Sequence, residues 1–371
     1  MIKGSYDRVV IGGGLFGAYS SLLLAKLGHS VLLVEQASEL MTRASVVNQA
    51  RLHTGLHYPR SIVTARDSLG YYSQFRERFP LAVFDFQQIY AISSHNSKTS
   101  PQGFIDFVKR LGLDFELIEH QRYFNPGTVE LALKVEEPTF DAQILRQQLV
   151  NEIASEQNID LCLDTAVTGG NLSQQESCLS LSSGSSIKTG GIVIATYAGI
   201  NSIRQSLGLP GLPLSFELAE VILGLVSTQM SGIGFTVMDG PFWSMMPFGN
   251  SGSVSLTSVG ITPLQKSRSL PIFQCQNLRT GCTPLSLSDC NTCHVRPSSG
   301  QNHQIQQMKL FLRNQDFFTP TKSLMTVKST LNTTDVDDAR PTLIHKESDS
   351  KTWTVFSGKV STLFDLEGVL N

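Results

Sequence analysis

The sequence predicts an α/β protein: a Rossmann-like dinucleotide-binding domain joined to a second, mainly antiparallel β-sheet domain. Three observations carry this. A Gly12-x-Gly14-x-x-Gly17 turn separates a short β-rich run from a helical stretch. A second β-run follows and ends on an acidic residue, Glu35. Farther on, residues 206–262 are dense in β-branched residues, Gly and Pro, the composition of strands joined by tight turns.

The elements follow in order. Residues 6–11 read as a strand, 15–27 as a helix with Gly28 at its C-cap, and 30–34 as a second strand. Over residues 61–79 the apolar positions Ile62, Ala65, Leu69, Tyr72 and Phe75 recur at helical spacing, and Pro80 stops the pattern. Residues 84–93 alternate as a strand does, and 104–111 form a short helix closed by Gly112. Residues 139–157 carry a further helix with Asp141 placed to cap it, followed by strands at 159–163 and 178–181. The bare apolar run 192–195 reads as a strand buried on both faces. Residues 267–303 are polar, cysteine-bearing and aperiodic, a long loop or insertion. Order returns as a helix near 304–314, strands near 324–330 and 352–356, and a short terminal helix.

The 371 residues suffice for a substantial core, and a net charge of -2 argues against a nucleic-acid surface or attraction to anionic lipid. A small molecule is the expected partner; oligomeric state is open. The longest apolar stretch, 218–226, is too short to span a bilayer, and the apolar run at Val9 leads straight into the glycine turn rather than a cleavage site. The expectation is a soluble, cytoplasmic protein, so the Asn171 and Asn332 sequons count as chance matches.

Gly12 permits the sharp exit from the strand, Gly14 lets backbone approach a pyrophosphate, and Gly17 lets helix and strand pack closely. The phosphates then face the helix N-terminus, where unpaired N–H groups and the dipole favour negative charge. Glu35 is placed to accept from ribose hydroxyls, which disfavours a 2′-phosphate. The loop alone does not separate FAD from NAD.

The segment from Met41 to Ser61 does separate them. With Ser45, Asn48, His53, Gly55, His57 and Tyr58, it resembles the D-amino-acid oxidase-like superfamily of FAD oxidoreductases, which includes glycine, sarcosine and 2-hydroxyglutarate oxidases. Ala195-Thr196-Tyr-Ala-Gly199 looks like the turn that closes over the dinucleotide there. Phe356-Ser-Gly358-Lys359 resembles the superfamily's final strand-to-helix turn, and Asp338-Ala-Arg340-Pro341 its C-terminal segment. The resemblance implies a discontinuous FAD-binding domain (residues 1–80, 140–205 and 320–371) and a substrate domain (81–139 and 206–319). It also implies that FAD contacts come from Gly12, Gly14, Leu15, Phe16, Gly17, Glu35, Arg43, Ser45, Asn48, Gln49, Arg51, His53, Val167, Ala195, Thr196, Gly358, Lys359 and Val360. Backbone N–H groups at Gly358 and Lys359 would face the flavin at a helix N-terminus. Over residues 206–320 the resemblance fades, and the Tyr/Arg pair by which amino-acid oxidases hold a carboxylate is not found.

The expected activity is oxidation of a CH–NH or CH–OH group by hydride transfer to flavin N5, with His53 and His57 as candidate bases and Lys359 supporting charge on the flavin. Arg51 and Arg60 are candidate anchors for an anionic group, and Tyr58, Phe242 and Trp243 candidate pocket walls. A flavin monooxygenase or halogenase and a catalytically idle dinucleotide-binding protein are the alternatives. Of the six cysteines, Cys275, Cys282, Cys290 and Cys293 cluster, but a single CxxC falls short of a zinc framework. No metal is expected; the bland reading is a surface insertion with free thiols.

Overall fold

The computed structural model describes residues 2–240, 242–314, 317–332 and 342–370. The Asp338-Ala-Arg340-Pro341 stretch lies outside the described residues.

Why the apolar runs are so bare is plain from the first sheet. Six strands run in the order Leu343–Lys346, Thr352–Phe356, Ile192–Ile194, Arg8–Ile11, Val31–Val34 and Ile159–Cys162, parallel apart from the edge strand Leu343–Lys346. Alternate residues leave by opposite faces. Val10, Leu33, Val193 and Val355 pack beneath the helices Leu15–Lys26 and Ala142–Ser155. Val9, Leu32, Ile194 and Phe356 pack against the helix Ile200–Ser206 and a four-stranded sheet containing Val167–Asn171 and Ser177–Leu181. With both faces covered, neither set of side chains needs polar residues. The expected caps form: Asp141 accepts from the Gln143 and Ile144 N–H groups, and Gly112 closes its helix at φ 70°.

The second large sheet has nine strands and is mainly antiparallel, as its composition predicts. Its longest pairing joins Leu214–Val226 to Phe318–Leu331. Gln87–Ser93, Ile233–Met238, Trp243–Pro247 and Val254–Ser258 lie side by side farther across. The 218–226 run is thus the C-terminal part of a strand, and among the described residues no helix is long and apolar enough to cross a membrane.

Two elements take a more specific form than expected. The expected short terminal helix is a 3₁₀ helix, Val360–Leu366. Hydroxyls compete for its first backbone groups: Ser357 Oγ accepts from the Lys359 N–H, and Thr362 Oγ1 donates to the Lys359 carbonyl. The cysteine-bearing insertion is irregular but is not a free surface loop. Phe273 and Leu287 are buried, and Leu285 and Cys290 pack on the same core as the parallel sheet.

Candidate functional site

The glycine turn behaves as its residue types require. Gly12 sits at φ 103°, and a Cβ there would meet the Ala195 carbonyl oxygen at 2.8 Å. A Cβ on Gly17 would stand 1.8 Å from the Gly12 carbonyl oxygen, so the helix could not reach the strand. Gly14 differs: its backbone is extended, and a Cβ would meet nothing closer than Ser45 Oγ at 3.5 Å. What glycine provides there is open space toward the cavity. Glu35 is fixed by the Gly13 N–H (2.6 Å) and the Ala37 N–H (2.8 Å).

A cavity opens beside this turn, lined by Gly12, Gly14, Glu35, Arg43, Ser45, Val167, Ala195 and Thr196. Eight residues expected at the cofactor therefore meet around one space. Two polar atoms in its wall, Arg43 Nε and Thr196 Oγ1, are buried without a hydrogen-bond partner. Orphaned donors beside a glycine-lined helix N-terminus suit the anionic pyrophosphate of FAD. Leu15 contributes its N–H, which donates to Ser45 Oγ at 3.0 Å, while the Phe16 and Val360 side chains pack on the core. Asn48 works on the loop itself: its amide donates to the Ala44 and Ser45 carbonyls and accepts from the Ala50 N–H.

From this loop the chain leads to a second cluster. The His53 and His57 rings lie 5.2 Å apart between centroids, and Tyr58 lies 5.4 Å from His53. Lys359, from the far end of the chain, places Nζ 4.2 Å from the Tyr58 ring centroid and donates to Ser68 Oγ at 3.4 Å. All three catalytic candidates, with Tyr58, therefore converge. A Cβ on the neighbouring Gly358 would meet nothing within 4 Å. One expectation is corrected here: the Lys359 N–H, read as a donor to the flavin, is directed at Ser357 Oγ at 3.1 Å.

Beneath the histidines lies a buried polar network. Arg51 Nη2 donates to Thr236 Oγ1 (2.7 Å) and Ser244 Oγ (2.5 Å). Its Nη1 donates to Tyr90 Oη (3.1 Å) and lies 3.5 Å from His57 Nδ1, while Nε points at Met246 Sδ (3.2 Å). The sheet register builds this nest, because Tyr90, Thr236, Ser244 and Thr257 are paired neighbours across four strands. Gln49 donates to Thr257 at the end of the row. Arg51 was expected to hold cofactor or substrate; its guanidinium is instead directed at protein groups and is buried.

Glu137 completes the network, and sequence reasoning missed it. Its carboxylate accepts from Tyr90 Oη (2.7 Å) and the Thr54 N–H (3.3 Å), and lies 3.6 Å from Arg51 Nη1 and 3.9 Å from His53 Nδ1. Burial raises it above the ordinary carboxylate value, against the opposing pull of Arg51. Burial, helped by the Glu137 charge, also holds the Tyr90 phenol well above its usual value, so it stays a donor. The available signal was alternation through 129–137, which sets Glu137 on the inward face with Val135.

Phe242 and Trp243 are a further correction. Both rings pack on Phe311, at 5.9 and 6.3 Å, within a hydrophobic core. On that strand Trp243 and Met245 face the core, and the alternate residues Ser244 and Met246 face Arg51. Arg60 is engaged with Asp239 at 2.8 Å. The six cysteines are free, and among the described residues no group of three or more His, Cys, Asp or Glu is placed to hold a metal ion.

Comparison with known proteins agrees with FAD as the cofactor. A family model described as FAD dependent oxidoreductase (DAO) matches residues 7–232. The FAD-dependent monooxygenase FPY4 of Fusarium mangiferae is 38% identical over 89 residues, 24% of this chain and 24% of that protein. The aligned stretch thus spans about a quarter of that curated relative's length. Among solved structures, glycine oxidase from Geobacillus kaustophilus is similar at a TM-score of 0.72 and 13% identity, over 99% of this chain and 93% of that one. A mutant of NikD, an unusual amino acid oxidase essential for nikkomycin biosynthesis, is similar at 0.74 and 15%, over the same shares.

Proposed function

The chain belongs to the FAD dependent oxidoreductase family, and on that premise we propose that it oxidises a CH–NH or CH–OH group of a small substrate, with His53 receiving the N–H or O–H proton. The observation that supports this reading is the gathering of His53, His57, Tyr58 and Lys359 into one cluster from distant parts of the chain.

An imidazole suits the task because it changes charge near neutral pH. Glu137 faces His53 Nδ1 at 3.9 Å and favours a proton on that nitrogen. Nε2 is then the accepting atom. His57 is biased the other way: an arginine only donates, so Nδ1 facing Arg51 accepts and the proton sits on Nε2. His57 thus offers a donor beside the base and orients the heteroatom of the substrate. Bound FAD supplies the ring that takes up the hydride equivalent. Lys359 brings a positive charge to the cluster, which would stabilise the negative charge that FAD gains on reduction. A cytoplasmic location belongs to the same reading, supported by six thiols left unpaired.

The test is anaerobic mixing of the FAD-loaded protein with panels of amines, amino acids and hydroxy acids, read as bleaching of the flavin absorbance. Bleaching by one class, lost in His53→Ala, is the expected result. A second reading, a flavin monooxygenase, is favoured by the local likeness to FPY4. It predicts bleaching by NADH or NADPH and by none of the panel.

A further inference from the structure

Part of the cysteine-bearing insertion, within residues 284–290, lines the cofactor cavity. Pro284, Leu285, Leu287, Ser288, Asp289 and Cys290 form one wall of the space whose other wall is the glycine turn, Glu35 and Arg43. The strand Phe318–Leu331 lends Met325, Thr326 and Val327 to the same cavity.

The insertion is held there by a small number of bonds. Asn291, between Cys290 and Cys293, donates its amide to the Met325 carbonyl (3.1 Å) and accepts from the Met325 N–H (2.8 Å). Those two bonds copy a β-pairing and fix the loop to a strand of the large sheet. Arg296 adds a bond to the Ser323 carbonyl at 3.2 Å. The Cys293 N–H reaches the Cys290 carbonyl, so residues 290–293 close into a turn around Asn291. Asp289 accepts from the Asn291 N–H at 2.9 Å, which steadies the turn. Cys290 itself is packed inward, and its burial pushes the thiol up to about 12, so it acts as a small neutral apolar group in the wall.

We infer that residues 284–293 are a cofactor clamp that closes over the adenosine end of bound FAD, with Asn291 as the latch that fixes it to the strand at Met325. The end of the cavity it covers is identified by Glu35, the ribose-binding carboxylate of such turns. The clamp therefore governs how long FAD stays bound, separately from the chemistry at His53.

Two measurements on the full chain test this. Hydrogen–deuterium exchange of residues 284–293 is compared in FAD-loaded and FAD-stripped protein, and slower exchange with FAD is expected. FAD dissociation after dilution is then timed in the wild type and in Asn291→Ala, which leaves every cavity-lining residue in place. Loss of the two bonds to Met325 is expected to speed release roughly tenfold. Exchange that is the same with and without FAD overturns the inference. So does release from Asn291→Ala at the wild-type rate. Neither readout depends on turnover, so a failure here is distinct from a failure of the proposed reaction.

Discussion

Arg51 Nη1 lies 3.6 Å from Glu137 Oε2 with side-chain exposures of 2% and 0%, so each charge has the other as its compensation inside the protein. The two members are not equivalent. Glu137 stays raised by burial even with Arg51 beside it, so the carboxylate is the disfavoured member.

The pair therefore responds asymmetrically. Arg51→Met leaves Glu137 buried and unpaired, and a loss of roughly 3–5 kcal/mol is expected at neutral pH. A carboxylate raised in the folded state contributes stability that is full below its unfolded value near 4.5 and is lost as pH rises through its folded value. Arg51→Met should accordingly approach the wild type in acid and fall away from it toward neutral pH. Adding Glu137→Gln should recover most of the loss at neutral pH. Urea denaturation of the three proteins at both pH values checks this, and a deficit independent of pH counts against the unpaired carboxylate as its cause.

Glu137→Gln alone addresses the reaction. Its stability should fall by roughly 3–5 kcal/mol at either pH, because Arg51 stays charged and loses the counter-charge that compensates it inside the protein. The charge that favours protonated His53 is gone, so the acid limb of the kcat/KM profile should move to lower pH. Glu137→Asp, which keeps the charge, should restore the limb. A profile unmoved in Glu137→Gln would detach Glu137 from His53.

The two halves of the site were unequally legible, for a physical reason. Gly12, Gly17 and Glu35 are demanded by backbone contacts within one strand–turn–helix unit, so spacing alone reveals them. The bare apolar runs at Val31–Val34 and Ile192–Ile194 were legible likewise, since a strand covered on both faces has no polar side. Tyr90, Thr236, Ser244 and Thr257 carry no local signature. They meet because strand register sets them in one row, and register is a property of the folded sheet. Trp243 misled because an aromatic in a distinctive stretch suits a pocket and a core alike; only the strand's facing decides it.

Gly14 and Gly17 separate cofactor binding from folding. Gly17→Ala drives a Cβ to 1.8 Å from backbone and should cost about 3 kcal/mol or more, with FAD lost alongside. Gly14→Ala meets only Ser45 Oγ at 3.5 Å and has an extended backbone open to alanine, so the FAD-free protein should melt as the wild type does. Its methyl group nevertheless enters the pyrophosphate approach, and FAD affinity should drop at least tenfold. Melting of the FAD-free proteins and FAD titration distinguish the two; equal damage to both properties in Gly14→Ala would mean that the cavity beside it does not take the pyrophosphate.

Lys359 offers the remaining separation, between charge and structure. Its Nζ stands 4.2 Å from the Tyr58 ring and donates to Ser68, contacts worth about 1 kcal/mol in stability. Lys359→Met keeps much of the side-chain volume and removes the charge. If that charge stabilises the negative charge gained by the flavin, kcat falls roughly tenfold or more while KM and FAD content hold. The reduction potential of the bound flavin should fall as well, because a nearby cation favours the reduced, more negative ring. Lys359→Arg, which keeps the charge, should return the potential toward the wild type. A potential unchanged in Lys359→Met would leave Lys359 as packing for Tyr58.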